Sequence, residues 1–357
     1  MAPQLLLLQA MHLSYELINW YQTNKRNLPW RNTTDAYTIW LSEIILQQTR
    51  VEQGLPYFYK FIEHYPNVNA FAAAHEDEVL KLWQGLGYYS RGRNMLKTAL
   101  FIKEHHNGIF PQRYDELIKL KGIGEYTAAA ISSFSINEAK AVVDGNVYRV
   151  LARFFGISQP INSPAGKRTF QALADDILNQ EHPGLHNQAM MEFGAMLCKP
   201  KAPLCSNCPV REGCYAFLNK QVDSLPVKLK TVKVKERFLN YFLITDGDKI
   251  LMNKRNESGI WANMYDLPLI ETNQLLPLDE LVALPETQSF FGPDIKIESV
   301  QPIVKHVLTH QRLFVRFIIL SSAPIKMETG WRYIETNNLK KIALPKVIFI
   351  FLDNFLN

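Results

Sequence analysis

The sequence predicts a multidomain chain, all-α over its N-terminal part and α+β over its C-terminal part. Residues from about 8 to 218 read as successive amphipathic helices separated by Gly, Pro and Asn, with almost no period-two alternation. Residues 238–245 and 249–254 instead flank Asp246-Gly247-Asp248, a hairpin signal, and 312–320 is another β-rich run. The stretch between the two patterns contains Pro226 with Lys228, Lys230, Lys233 and Lys235, and reads as an extended basic linker. The expected bounds are therefore 1–220, 221–236 and 237–357.

Composition limits the function classes. A length of 357 residues suits two or three domains, and 47% hydrophobic with 20% charged residues is ordinary globular composition, which excludes disordered and collagen-like chains. A net charge of +5 permits a polyanionic partner without requiring one. No apolar run approaches the roughly 20 residues of a membrane span, and the apolar start Leu5–Leu8 lacks a basic flank and a cleavage site. A cytoplasmic location with no membrane partner is expected.

Within the helical part, Glu43 lies in an apolar run between Trp40-Leu41 and Ile44-Ile45. Such surroundings raise a carboxyl's pKa, although a solvent-facing carboxylate fits the pattern as well. Leu120-Lys121-Gly122-Ile123-Gly124-Glu125-Tyr126-Thr127-Ala128 is a glycine-flanked turn running into an Ala-rich helix. Such a turn either connects two helices or grips a DNA phosphate, because glycines let the backbone approach and a helix N-terminus offers unpaired N–H groups. Asp144, within Val143-Asp144-Gly145-Asn146-Val147, stands at a helix start, where aspartate is a favoured cap. Asn162-Ser163-Pro164 opens the next helix, whose Phe170, Leu173, Ala174, Ile177 and Leu178 form a core stripe.

All four cysteines crowd into Cys198-x6-Cys205-x2-Cys208-x5-Cys214. Two disulfides suit small secreted scaffolds, and structural zinc usually takes two short Cys-x2-Cys knuckles. The uneven spacing better suits a [4Fe-4S] cluster, with a helix delivering Cys198 and proline-broken loops wrapping the other ligands.

Together with the cysteines, several segments resemble the helix-hairpin-helix DNA glycosylases, and among them the adenine glycosylases of the MutY type, over essentially the whole chain. They are Leu28-Pro29-Trp30-Arg31, Leu41 to Thr49, Gly85-Leu86-Gly87-Tyr88-Tyr89, the Gly122/Gly124 hairpin, Val143 to Val147 and Asn187-Gln188-Ala189-Met190-Met191. The resemblance implies an all-α helix-hairpin-helix glycosylase domain with a [4Fe-4S] loop, followed by an α+β Nudix-like domain. It implies Glu43 as general acid and Asp144 as the anion beside an oxocarbenium-like sugar, with Tyr126 and Asn146 hydrogen-bonding the pair. It also implies that Arg26, Leu28, Trp30, Arg31 and Gln188 line an adenine pocket. Gln48, Thr49 and Tyr88 would pry or fill the duplex beside the flipped base, and Gly122 and Gly124 would hold phosphate. Relatives that also break the strand carry a lysine nucleophile immediately before the Thr-Ala of the hairpin. This chain has Tyr126 there, which cannot form a Schiff base.

The C-terminal part lacks the Arg-Glu-x2-Glu-Glu array by which Nudix hydrolases hold metal, so recognition is expected of it and not pyrophosphate hydrolysis. His306-Val307-Leu308-Thr309-His310 matches a lesion-checking loop that commonly reads Phe-Ser-His in the family. Thr309 and His310 can hydrogen-bond, whereas Leu308 cannot stack as an aromatic ring would. The resemblance thus implies a monomeric, monofunctional base excision repair enzyme acting on double-stranded DNA with adenine opposite 8-oxoguanine or guanine. An iron–sulfur DNA-binding regulator would need a dimerisation segment and a base-reading helix, and the sequence shows neither.

Overall fold

The computed structural model describes residues 3–229, 234–322 and 330–356. Lys230 and Lys233 of the expected linker lie outside the described residues. The helices of the N-terminal part are α1 (Pro3–Asn24), α2 (Ala36–Ile45), α3 (Val51–His64), α4 (Val68–Ala72), α5 (Glu76–Leu82) and α6 (Ser90–His105). They continue as α7 (Tyr114–Leu117), α8 (Glu125–Ile136), α9 (Gly145–Phe155), α10 (Pro164–Asp176), α11 (Pro183–Met196) and α12 (Tyr215–Leu218). Contacts divide the chain into two compact units: one runs to Ala73 and resumes at Asn94, and the other joins Ala74–Arg93 to the C-terminal residues from 231 onward.

In the first unit, α11 packs on α1, α8 and α9. Leu13, Leu17, Tyr21, Val150, Leu151, Phe154, Phe170, Met190 and Phe193 fill the core between α1, α9, α10 and α11. Each such side chain contributes about 1.5–3 kcal/mol on burial. The start of α10 is capped by Ser163, whose hydroxyl accepts from the Gly166 N–H, with Pro164 at the first helical position where its missing N–H costs nothing. Leu225 is buried in the same core, and the Ile161 N–H donates to Val227, so 222–227 packs along the helices. Strand β1 already begins at Lys235, inside the stretch that composition alone reads as linker, because its partner strand continues to Gln311.

The second unit is built on a mixed sheet of β1 (Lys235–Asp246), β2 (Lys249–Lys254), β3 (Tyr265–Asp266), β4 (Leu269–Thr272), β5 (Lys296–Val300), β6 (Val304–Val307), β7 (Gln311–Ser322) and β8 (Arg332–Glu335). The long central pair, β1 and β7, is parallel, from Lys235 opposite Gln311 to Ile244 opposite Leu320. The β1–β2 hairpin pairs Asp246 with Lys249 around Gly247, whose φ is 58°. Helices α13 (Leu278–Ala283), α14 (Pro285–Phe291) and α15 (Lys346–Leu356) complete the unit. Phe242, Leu251, Leu281, Phe291 and Ile318 make one core, and Phe351 of α15 stacks on Phe317 at 3.9 Å. Among the described residues no helix is long and apolar enough to cross a membrane.

Candidate active site

Helix α2 opens at Asp35, whose carboxylate accepts from the Thr38 N–H, and nine of its residues, Glu43 among them, are buried. A helix apolar on every side has no solvent face to offer a carboxylate, so Glu43 is 7% exposed. It opens onto a pocket of about 660 Å³ in the first unit, lined also by Arg26, Leu28, Trp30, Arg31, Gln48, Thr49, Tyr126, Asp144, Asn146 and Gln188. After Ile45 the chain turns, and Gln48 adopts φ 58°, a left-handed conformation that costs a non-glycine residue about 1 kcal/mol or more. The turn leaves Gln48 and Thr49 in the pocket wall.

The Tyr126 hydroxyl, on the first turn of α8, donates to Oε2 of Glu43 at 2.6 Å. Burial pushes the Glu43 carboxyl up to about 7, with Asp144 adding to the rise and the Tyr126 bond opposing it. The Tyr126 phenol, buried beside two carboxyls, is raised far enough to remain a donor. Asp144 caps α9: Oδ1 accepts from the N–H groups of Asn146 and Val147 at 2.8 Å each, and Oδ2 from the Asn146 amide at 2.7 Å. Asp144 is therefore a helix cap that also lines the pocket. Burial also raises its pKa, against these bonds and Arg149.

Other side chains answer to partners that the sequence motifs did not signal. Glu192 of α11, wholly buried, takes both Arg26 (2.6 Å) and Arg31 (2.7 Å); burial pushes its carboxyl up, but the hydrogen bonds and charge of the two arginines together outweigh this and hold it down to about 2. The Tyr21 hydroxyl donates to Oε1 of Gln188 at 2.6 Å. Arg149 donates to the Asn146 amide oxygen and to the Cys198 carbonyl, at 2.8 and 2.7 Å. One sequence signal could have found Glu192: it lies four residues after Gln188, on the same face of an apolar helix, where an ionised side chain requires a buried partner.

The remaining residues singled out from sequence stand outside this pocket. Gly122 has φ 80°, and a Cβ there would approach Asn94 to 3.0 Å, so the α7–α8 turn needs glycine at that position. At Gly124, the cap of α8, a Cβ would meet nothing within 4 Å. Leu308 and Gln311 exchange backbone hydrogen bonds, making Thr309-His310 the two-residue tip of the β6–β7 hairpin. This tip is exposed, so it is not a strand end packed in a core. Tyr88, 44% exposed, shares a hydrogen bond between its hydroxyl and that of Thr309.

The four cysteines are free of disulfides and line one small cavity of about 30 Å³ with Arg153, whose Nη1 lies 3.3 Å from Sγ of Cys198. Cys198 follows the end of α11, Cys205 starts a short 3-10 turn, and Cys214 caps α12. Burial pushes the Cys208 thiol up to about 12. Among the described residues no group of three His, Cys, Asp or Glu side chains is arranged to hold a single metal ion. Four cysteine side chains around one cavity are a donor set that an iron–sulfur cluster can take.

Helical fold, hairpin and carboxyl pocket together define a helix-hairpin-helix glycosylase of base excision repair, joined to a Nudix-type domain. A family model described as HhH-GPD superfamily base excision DNA repair protein matches residues 41–174, and a NUDIX domain model matches 240–354. The "Adenine DNA glycosylase" of Buchnera aphidicola subsp. Acyrthosiphon pisum (strain APS) is 32% identical over 346 residues, spanning 95% of this chain and 96% of that protein. The chain belongs to the adenine DNA glycosylase family and is a DNA N-glycosylase. The relative of the same name in Mus musculus is 30% identical, covering 86% of this chain and 70% of its own. Among solved structures, a thermostable thymine-DNA glycosylase is 25% identical with a TM-score of 0.55, over 59% of this chain and 98% of that one. A non-covalent endonuclease III–DNA complex, 20% identical with a TM-score of 0.51 over 59% of this chain and 97% of that one, shares the fold.

Proposed function

We propose that the chain, as a monomer, excises adenine mispaired with 8-oxoguanine or guanine in double-stranded DNA, by hydrolysis and without a lysine adduct. The observation that carries this reading is the buried Glu43 carboxyl, bonded by Tyr126 in the same pocket as Asp144. Extruded adenine enters the pocket walled by Leu28, Trp30 and Gln188. Tyr126 donates to Oε2 of Glu43, leaving the acid proton on Oε1 to protonate the departing base. Asp144, fixed by three hydrogen bonds with Asn146 and Val147, stabilises the cationic sugar until water adds to its anomeric carbon, and the proton that water loses returns Glu43 to its acid form. With its oxygen engaged by Tyr21, Gln188 presents amide N–H groups to the ring nitrogen acceptors of adenine.

Gly122, Gly124 and the N-terminus of α8 bind a phosphate; the empty space at Gly124 supports this, since the fold itself does not demand glycine there. Thr309 and His310 at the hairpin tip check the base opposite adenine, and Gln48, Thr49 and Tyr88 act on the duplex beside the flipped base. The second unit recognises and does not hydrolyse pyrophosphate.

Cys198, Cys205, Cys208 and Cys214 hold a [4Fe-4S] cluster, which when bound organises the loop carrying Lys199, Lys201 and Arg211. Cys198→Ser should lower iron to well below four atoms per chain and reduce Tm, read by iron analysis and thermal melting.

The function is tested with end-labelled duplexes holding adenine opposite 8-oxoguanine, guanine, cytosine or thymine. Alkali-dependent breaks at adenine opposite the first two alone, with no borohydride-trapped adduct, are the expected result. Breaks without alkali, or trapping, would assign strand-cleaving chemistry instead.

A further inference from the structure

The segment between α5 and α6 presents Tyr88 in an unfavourable backbone conformation. Gly85 (φ 107°), Gly87 (φ 73°) and Tyr88 (φ 48°) all lie in the left-handed region, where a bulky residue such as Tyr88 is strained by about 1–3 kcal/mol. Strain of this size persists only where neighbours over-determine it, and here Arg91 bonds the three successive carbonyls of Leu86, Gly87 and Tyr88. Its Nη2 donates to the carbonyls of Leu86 and Gly87 at 3.3 and 3.2 Å, while its own N–H donates to the Tyr88 carbonyl at 2.9 Å. The guanidinium lies 4.9 Å over the Trp83 ring and 6.0 Å from the Tyr88 ring centroid. Trp83 closes the arrangement by donating from Nε1 to Gly87 at 2.9 Å.

We propose that Arg91 is a positioning residue that holds Tyr88, and through its hydroxyl Thr309, in the orientation that engages the base opposite adenine. The inference rests on the reading of Tyr88 as a duplex-engaging side chain. The chemistry is specific to arginine: a planar cation can lie between two aromatic rings while its fork reaches two successive carbonyls, and an ammonium cannot do both. Arg91 belongs to the second unit and the pocket holding Glu43 to the first, so Arg91 is assigned no part in protonating the base.

Arg91→Lys, Tyr88→Ala and the double variant should be compared by Tm, by dissociation constant for a duplex holding a non-hydrolysable adenosine analogue opposite 8-oxoguanine, and by single-turnover excision at saturating enzyme. Arg91→Lys should weaken engagement on the order of tenfold, as misplacement of a contacting group does, with little change in the saturated rate. In the Tyr88→Ala background the same substitution should have no further effect. Losses that multiply in the double variant, or a Tm drop accounting for the whole effect, would overturn the inference, as would an unchanged dissociation constant for Arg91→Lys. If Tyr88→Ala alone changes nothing, the reading of Tyr88 is what fails, whatever Arg91 does. Arg91→Met, which keeps bulk and loses the fork, should behave as Arg91→Lys if the carbonyl clamp is the operative element.

Discussion

Glu43→Gln should bind a mispaired duplex as tightly as the parent chain while excising adenine about 10²–10⁴-fold more slowly, the usual worth of general acid catalysis. The amide keeps the size of the side chain and its acceptor for Tyr126, so only the transferable proton is lost. The pH dependence has a definite sign. The Glu43 carboxyl is protonated below about 7, so the single-turnover rate should fall as pH rises through that value. Stability moves with it. Because the folded carboxyl holds its proton beyond the ordinary 4.5, stability is lost as pH climbs from 4.5 to about 7. Glu43→Gln removes that penalty, so its Tm should exceed the parent's at pH 8 and match it near pH 4.5. An undiminished rate in this variant would remove Glu43 from the mechanism.

Glu192→Ala should be the most destabilising single change in the first unit. It leaves Arg26 and Arg31 facing each other without their shared carboxylate, and breaking a buried pair from one side costs about 3–5 kcal/mol. A Tm lower by roughly 10 °C is expected for a unit of this size. Glu192→Gln, which retains hydrogen-bonding oxygen but no charge, should fall between the two. Calorimetry reads both, and a shift under 2 °C for Glu192→Ala would mean the arginines find other partners at little cost.

What the sequence revealed and concealed follows from range. Caps and turns are local, so Ser163 before Pro164 and the Asp246-Gly247-Asp248 hairpin could be read directly, and the structure places both where the pattern says. The parallel pairing of β1 with β7 joins residues more than seventy positions apart and leaves no local trace. The pocket divides in the same way. Asp144 and its Asn146 partner are two residues apart and legible, whereas Glu192 clasps Arg26 and Arg31 across more than 160 positions. Glu43 was ambiguous because its fate depends on which side of α2 meets water, and packing leaves almost none that does. The resemblance to a known family supplied the rest, and the matches over 41–174 and 240–354 agree with it.

The Asp144 cap has an evolutionary consequence. On the proposed mechanism two selective pressures converge on that residue, because the carboxylate that lines the pocket also ties down the first turn of α9. Glu43 answers to one pressure alone and burdens the fold when ionised. In a lineage released from the need to excise adenine, drift should therefore reach position 43 early. At 144 it should be confined to aspartate, asparagine or serine for as long as the helix is kept. Degeneration of the enzyme would be written first in the acid, and the anion would outlast the reaction it serves.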